Sequence, residues 1–276
     1  MLDKNIGFRL KFDNMFPEDM SKMLGEYLEL FSSFEIKLTI DLLSSGNIKK
    51  LLNICKGYPQ DSYSIHLLKN LLENLNEYKY SIDFFNILKK YDLKNIRLVT
   101  HFPLNNANGI LAKIIEISSL ISSNILLLEN NLKEYENLKY LDKIEQVLYS
   151  LESKKISNVG FCLDIGHLMF GAFEEGISEE DVFKYVSQKE ILLNKTKEIH
   201  LHDFDITKDH LLLGQGKLNL NLLSNFISNH LKNVPVIVET NIKNPKIDGI
   251  KQVEISKLIL TGGIDTHEDY ASIWFN

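Results

Sequence analysis

Six apolar segments of the sequence each end on a histidine or a carboxylate. The residues at these ends are His66, His101, Glu129, Asp164, His200 and Glu239. Apolar segments more often end on turn residues such as glycine or asparagine. A buried glutamate without a partner is costly. We therefore expect Glu129 in LLLEN and Glu239 in VIVET to be paired, protonated or bound to a metal.

Imidazoles and carboxylates that converge on one point are typical ligands of a divalent metal. Neutral imidazole suits zinc, manganese or iron, and a carboxylate can bridge two ions. Calcium prefers a cage of oxygen atoms, which this many histidines would not provide. The residue types therefore predict a divalent-metal cofactor, with zinc or manganese favoured.

Eight short segments rich in β-forming residues are predicted to be strands, and six of them carry these residues at or near their ends. They cover residues 5–10, 35–41, 62–67, 95–102, 124–130, 159–165, 198–204 and 234–241. Segments of helical period lie between them, for example Leu141, Ile144, Leu148 and Leu151. Alternating strands and helices predict an α/β fold, a (β/α)8 TIM barrel, with a doubly wound open sheet as the competing arrangement.

The barrel is predicted to be a single domain over residues 1–276, with residues 262–276 as a C-terminal tail. No composition shift or Ser/Gly-rich linker divides the chain. In a TIM barrel the residues at the C-terminal ends of the strands surround the active site. Strands three to eight would therefore bring the six histidines and carboxylates together.

Composition favours a soluble, cytoplasmic protein that binds no membrane. The net charge is −6, hydrophobic residues make up 44%, and no run of 18 uncharged apolar residues occurs. The two cysteines, Cys55 and Cys162, predict no disulfide framework. The negative charge does not favour a nucleic acid partner, although it leaves room for a local basic patch. The oligomeric state stays open.

An ordered set of short motifs runs from His66 to Thr240: S-x-H, T-H-x-P, L-E-N, L-D-x-G-H, H-L-H-D, D-H-L-x-L-G-x-G and V-E-T. The set resembles the xylose isomerase-like TIM barrel superfamily, which contains sugar phosphate isomerases and epimerases and also endonuclease IV. The resemblance implies that Glu129, Asp164, His200 and Glu239 are the four metal ligands shared by the isomerases and epimerases. It also implies an extra metal site of the nuclease branch, formed by His66 and His101 with Glu129 as a bridge.

The resemblance extends in part to a third metal of the nuclease. His167 and His210 match two of its ligands, but Lys208 stands where the remaining aspartate would be. Asp205 and Asp209 are the nearest substitutes. We therefore expect two ions per chain, with a third weak or absent.

Four further residues are predicted to contact the substrate. His202 and Asp203 directly follow His200, and Asp203 is also placed to orient an imidazole. Gly214 and Gly216, in LLGQGKLN, lie in a predicted loop after strand seven. The amides of such a loop often hold a phosphate or another anion.

Three functions compete. The first is an isomerase or epimerase of a small sugar, sugar phosphate or polyol, in which Glu129 and Glu239 move a proton through an enediolate. The second is an endonuclease IV-like, zinc-dependent phosphoesterase that acts at abasic sites in DNA. A non-catalytic metal-binding barrel is the third.

Charge near the predicted strand ends ranks these functions. The loop LLSSGNIKK offers Lys49 and Lys50, the loop LLKNLLENLNEY has one lysine against two glutamates, and no strip of Lys and Arg is evident near the strand C-termini. DNA-binding proteins neutralise several phosphates with such cations. We therefore expect a small polyhydroxylated substrate and regard nucleic acid as the less favoured partner.

Overall fold

The computed structural model describes residues 6–12, 17–44, 46–103, 107–131, 137–240, 242, 245–264 and 268–275. Two predicted strand ends, Asn5 and Asn241, lie outside the described residues.

Eight parallel strands form a closed barrel in the order in which they occur along the chain. They are β1 (Ile6–Lys11), β2 (Ser33–Lys37), β3 (Tyr63–His66), β4 (Arg97–His101), β5 (Ile125–Glu129), β6 (Val159–Asp164), β7 (Thr196–Leu201) and β8 (Val236–Val238). Pairing of β1 with β8 closes the sheet. The predicted (β/α)8 barrel is confirmed, and the doubly wound open sheet is wrong.

The strands read as continuous apolar runs because both faces of the sheet are covered. Every residue of β6 is buried, and β5 is buried except for Ile125. Parallel strands with helices outside and side chains inside have this character. One register irregularity, between Phe161 and Cys162, interrupts the pairing of β6 with β7.

Twelve α-helices lie in the described part of the chain. They are α1 (Pro17–Leu28), α2 (Ile40–Ser44), α3 (Asn47–Cys55), α4 (Leu75–Lys90), α5 (Ala107–Leu120), α6 (Asn137–Ser153), α7 (Ile165–Glu174), α8 (Glu179–Ser187), α9 (Glu190–Lys195), α10 (Leu220–His230), α11 (Ile250–Thr261) and α12 (Glu268–Phe275). A 3-10 helix (Gln60–Ser62) and a π-helix (Pro245–Gly249) complete them. Leu141, Ile144 and Leu148 of α6 are buried, as their period predicts.

Three predicted strands end more than one residue away from the end that the structure shows. The second covers Ser33–Lys37 and not 35–41, since α2 begins at Ile40. The seventh ends at Leu201 and not 204, since the chain leaves the barrel there. The eighth is limited to Val236–Val238. Leu38, Leu42 and Phe204 stay buried beyond their strands, so apolar character alone extended the predictions too far.

Part of the predicted tail packs against the barrel. Residues Glu268–Phe275 form α12, and the indole Nε1 of Trp274 donates a hydrogen bond to the carbonyl oxygen of Leu213 at 3.0 Å. That residues 1–276 form one domain stays a prediction. Both cysteines are free and buried. Among the described residues, no helix combines the length and apolar character that a membrane crossing needs.

Candidate metal centre

The strand ends gather the six predicted residues at one end of the barrel. His66, His101, Glu129 and Asp164 are the last residues of β3 to β6, and Glu239 directly follows β8. Adjacent strands pair His101 with Glu129 and Asp164 with His200 in register. His101 is half-buried, and the other five residues are buried.

One group of potential ligands consists of Glu129, Asp164, His200 and Glu239. Their donor atoms all lie within 4.8 Å of one another. Nδ1 of His200 lies 2.9 Å from Oε1 of Glu129 and 2.6 Å from Oε1 of Glu239. Metal–ligand bonds of about 2.0 to 2.3 Å place ligand atoms at separations of this order. The four side chains can therefore share one ion.

A second group consists of His66, His101 and Glu129. Nε2 of His66 lies 2.8 Å from Oε2 of Glu129, and Nε2 of His101 lies 3.1 Å from the same oxygen. Nδ1 of His66 lies 2.9 Å from the carbonyl oxygen of Leu67, which can only accept, so Nδ1 carries a proton. In a neutral ring, Nε2 then presents its lone pair to the carboxylate. The lone pair of Nε2 and the negatively charged oxygen of Glu129 repel each other. A cation bound between these two atoms would remove the repulsion.

Three histidines form a third group that the sequence predicted in part. His167, His202 and His210 can present donor atoms to one point, with ring centroids 4.2 to 5.3 Å apart. His202 lies in this cluster, with Nε2 3.3 Å from Oδ1 of Asp164. Asp209 approaches from the loop, with Oδ2 3.7 Å from Nε2 of His167. That a third ion at this cluster is weak or absent stays a prediction.

Local structure explains why the FCLDIGH segment ends on Asp164 and His167. Oδ1 of Asp164 accepts a hydrogen bond from the backbone N–H of His167 at 2.7 Å and so caps the N-terminus of α7. Gly166 lies between them because a Cβ at this position would overlap with the ring of His202. The same carboxylate therefore starts a helix and faces the cluster.

Several buried carboxylate atoms of the centre receive no hydrogen bond from the described residues. They are Oδ2 of Asp164 and both Oε atoms of Glu239. Buried carboxylates are normally hydrogen-bonded, ion-paired or bound to a metal. Nδ1 of His167 lies 3.1 Å from Oδ2 of Asp164, and Oε1 of Glu239 contacts Arg9 and lies 2.6 Å from Nδ1 of His200. The donor set therefore fits a divalent cation.

The protonation states suit metal ligands. Burial alone would raise the pKa of Glu129, but charge on His101, His200 and His66 holds the pKa well below its ordinary value. Burial lowers the pKa of His167 to about 3. Burial, with His202 next, lowers the pKa of His210 to about 4. Glu129 is thus a carboxylate, and both histidines are neutral, which is the form that binds a metal.

Four charged residues of this region were not predicted from the sequence. Arg9, Glu35, Arg97 and Glu198 lie on β1, β2, β4 and β7. Arg9 contacts both Glu35 and Glu239. Arg97 Nε donates to Oε2 of Glu198 at 2.7 Å. One signal was available: Glu198 lies two residues before His200 on the same strand, and therefore faces the same side.

Asp203 and the two glycines form a structure of their own. The carboxylate of Asp203 accepts backbone hydrogen bonds from Phe204, Gly214, Gly216 and Leu218 at 2.8 to 3.0 Å. The amides of Gly214 and Gly216 therefore point at an anion of the chain itself. Contact of these residues with a substrate stays a prediction.

A cavity of about 220 Å3 opens beside Glu239 and His210. Arg9, Lys11 and Lys37 also line it. Lys11 and Lys37 end β1 and β2 and pair with each other in register. The expectation that no strip of cations lies near the strand C-termini is wrong for these two strands, because the predicted first strand ended before Lys11 and the predicted second strand, 35–41, placed Lys37 in its interior.

Comparisons with protein-family models and with curated proteins gave no match. Comparison with solved structures gave 85 matching chains. AsfvAP in the AsfvAP:AG crystal structure is 14% identical, with a TM-score of 0.64 over 92% of this chain and 97% of its own. The 3-keto-D-glucoside 4-epimerase YcjR from E. coli is 14% identical, with a TM-score of 0.63 over 93% and 99%. The D-allulose 3-epimerase from Methylomonas sp. is 12% identical, with a TM-score of 0.61 over 93% and 96%.

A fusion protein with a xylose isomerase-like TIM barrel also matches, with a TM-score of 0.59 over 92% of this chain and 42% of that protein. The chain has the xylose isomerase-like TIM barrel fold. The predicted resemblance is thereby confirmed. Identities of 10 to 14% establish this likeness at the level of the fold.

Proposed function

We propose that the protein is a divalent-metal-dependent isomerase or epimerase of a small sugar, sugar phosphate or polyol. The observation that carries the proposal is the position of Glu239, which belongs to the four-ligand group and also lines the cavity. A cavity of about 220 Å3 is smaller than the roughly 300–1,000 Å3 of pockets for drug-sized ligands. The dimensions favour a substrate of the size of one sugar.

Zinc or manganese suits the donor set and would hold substrate oxygens and polarise a carbonyl group when bound. Glu129, Asp164, His200 and Glu239 would hold one ion, and His66 and His101 would hold another with Glu129 as the bridge. Two matched structures are sugar epimerases by name, which supports the same class of chemistry for this chain.

Glu239 is the residue best placed to move a proton. Glu239 lines the cavity, and its buried carboxylate receives no hydrogen bond from the described residues, although Oε1 forms ion-pair contacts with Arg9 and His200. Contact with Arg9 favours the ionised form of Glu239, which a general base requires. Glu129 is fully buried between three imidazoles, so we assign it to metal binding; its predicted acid/base role stays a prediction.

The test is proton exchange. Metal-loaded protein in D2O is incubated with a panel of ketoses, aldoses and their phosphates, and NMR detects deuterium at carbon. Glu239→Gln should lower the exchange rate at least about a hundredfold, the usual scale for loss of an acid/base group, while the fold is retained. Glu29→Gln, at an exposed position, is the matched control. Exchange at the wild-type rate in the Glu239 variant would make Glu239 a structural residue.

An endonuclease IV-like phosphoesterase is the second candidate, because Glu129 joins two ligand groups. Paired metal sites are a common feature of phosphatases and nucleases. Cleavage of an abasic duplex by the same preparation, without exchange into any sugar, would favour this function.

A further inference from the structure

Positively charged residues and candidate metal ligands line the same cavity. β3 to β8 end on or near histidines and carboxylates, whereas β1 and β2 end on Lys11 and Lys37. Arg9 precedes Lys11 by two residues, and side chains two apart on a strand share a face. All three cations line the cavity that contains Glu239 and His210.

Lys11 and Lys37 lie side by side at the ends of β1 and β2. Lys11 and Lys37 are register partners, and like charges directly opposite each other in a sheet are destabilising. The nearest carboxylate on the strands, Glu35, is engaged by Arg9. Among the described residues, neither lysine forms an ion pair within 4.0 Å. Lys37 is attracted to Glu35 and Glu129, but both lysines can still pair with an anionic group in the cavity, although the net charge of the chain is −6.

Lys37 lies among other cations and next to an apolar part of the cavity wall. The side chain is half-buried, and burial, followed by repulsion from Arg9 and Lys11, lowers its pKa. Phe8 and Tyr27, whose rings stack at 5.0 Å, form an apolar part of the same wall. An anion seated here would interact in an environment of low polarity, where charge–charge attraction is larger than in water.

We infer, on the basis of the proposed function, that Lys11 and Lys37, together with Arg9, form an anion-binding subsite for a phosphate or carboxylate group of the substrate. The substrate is then a sugar phosphate or sugar acid, with its anionic group at the lysines and its hydroxyl groups toward Glu239. The cavity volume suits one such molecule rather than a nucleic acid strand. Neutral sugars would lack the group that the lysines bind.

The experiment measures anion binding to metal-free protein, so that a bound metal cannot take the anion. Inorganic phosphate, gluconate and uncharged sorbitol are titrated by calorimetry at constant ionic strength. Wild type should bind phosphate or gluconate but not sorbitol, and the stronger ligand identifies the group. Lys37→Met should weaken binding at least about tenfold, since hydrogen bonds to charged groups are among the stronger ones. Lys50→Met, at an exposed lysine of α3, should bind like wild type.

The inference would be overturned if neither phosphate nor gluconate saturated the wild-type protein, or if Lys37→Met bound them as tightly as wild type. So would tight binding of labelled abasic duplex that Lys37→Met abolishes, because the cations would then serve a nucleic acid. Deuterium exchange confined to uncharged sugars would also overturn it and leave the proposed isomerase standing. Anion binding that depends on Lys37, without deuterium exchange into any sugar, would support the anion-binding subsite and contradict the proposed isomerase function.

Discussion

One carboxylate outside the metal centre, Glu179, connects stability to pH. It lies in the first turn of α8 and accepts a hydrogen bond from the backbone N–H of Asn219 at 3.0 Å. Burial raises the pKa of Glu179 to about 7, and charge on Asp203 and Glu180 adds to the increase. Between the ordinary value of 4.5 and about 7, the folded chain therefore holds a proton that the unfolded chain releases. The contribution of Glu179 to stability falls as the pH rises through this range.

We expect Glu179→Gln to remove this pH dependence. The glutamine keeps an oxygen for the N–H of Asn219 and carries no charge to bury. The Tm of the variant should exceed that of wild type most at pH 8 and least at pH 5, as measured by thermal denaturation followed by circular dichroism. Glu180→Gln, at the exposed neighbour, is the control. An equal Tm difference at both pH values would contradict the assignment.

Single residues also show which parts of the centre the sequence could predict. His101 and Glu129 end apolar runs, so an unusual residue at an expected position made them visible. Arg9 and Glu35 were missed because a charged residue between apolar neighbours is also typical of a strand with one face exposed to solvent. Only closure of the barrel, which brings Arg9 to Glu239 across 230 positions of sequence, shows that these charges face inward.

At the scale of elements, the loop between β7 and α10 is organised around Asp203. Four backbone N–H groups from residues 204 to 218 point at this one carboxylate. Gly216 is required because a Cβ would overlap with Asp203 and with the carbonyl oxygen of Phe204. Gly214 has φ +83°, a conformation that favours glycine. The loop therefore depends on Asp203 for its shape.

We expect Asp203→Asn to destabilise the protein by about 1 to 3 kcal/mol, because the amide NH2 group would replace an acceptor that buried N–H groups need. Chemical denaturation measures this difference. Asp205→Asn is the matched control, since partly exposed Asp205 accepts from the N–H groups of Thr207 and Lys208 and from the hydroxyl of Thr207. A loss of stability as large in the control as in the Asp203 variant would show that the four amides are not the cause.

Element order was predictable, whereas element ends were not. The alternation of β-rich and helical segments predicts all eight strands because each must cross a core that is apolar on both sides. The ends depend on contacts that lie far apart in sequence. β2 stops at Lys37 although LTIDLL continues the apolar pattern, and the chain turns into α2 with Leu42 still buried.

At the scale of the whole molecule, closure of the barrel concentrates acidic groups around one axis. Glu35, Glu129, Asp164, Glu198 and Glu239 are all buried at the centre or next to it. Arg9 and Arg97 balance part of this charge through Glu35, Glu239 and Glu198. Buried carboxylates without full compensation oppose folding. A divalent ion bound only by the folded barrel would therefore stabilise the whole chain.

We expect zinc or manganese to raise the Tm of metal-free protein and EDTA to reverse the increase. A ligand that binds only the folded state adds about 2.7 kcal/mol to the free energy of unfolding at a concentration one hundred times its Kd.

Elemental analysis of metal-loaded, dialysed protein should give two ions per chain. His101→Gln should lose one ion and part of the Tm increase, because it removes a ligand of the site with His66 and leaves the four-ligand group intact. His230→Gln, at an exposed histidine of α10, should keep both ions. Equal metal content in the two variants would contradict the two-ion arrangement, and a Tm unaffected by either metal would contradict the centre itself.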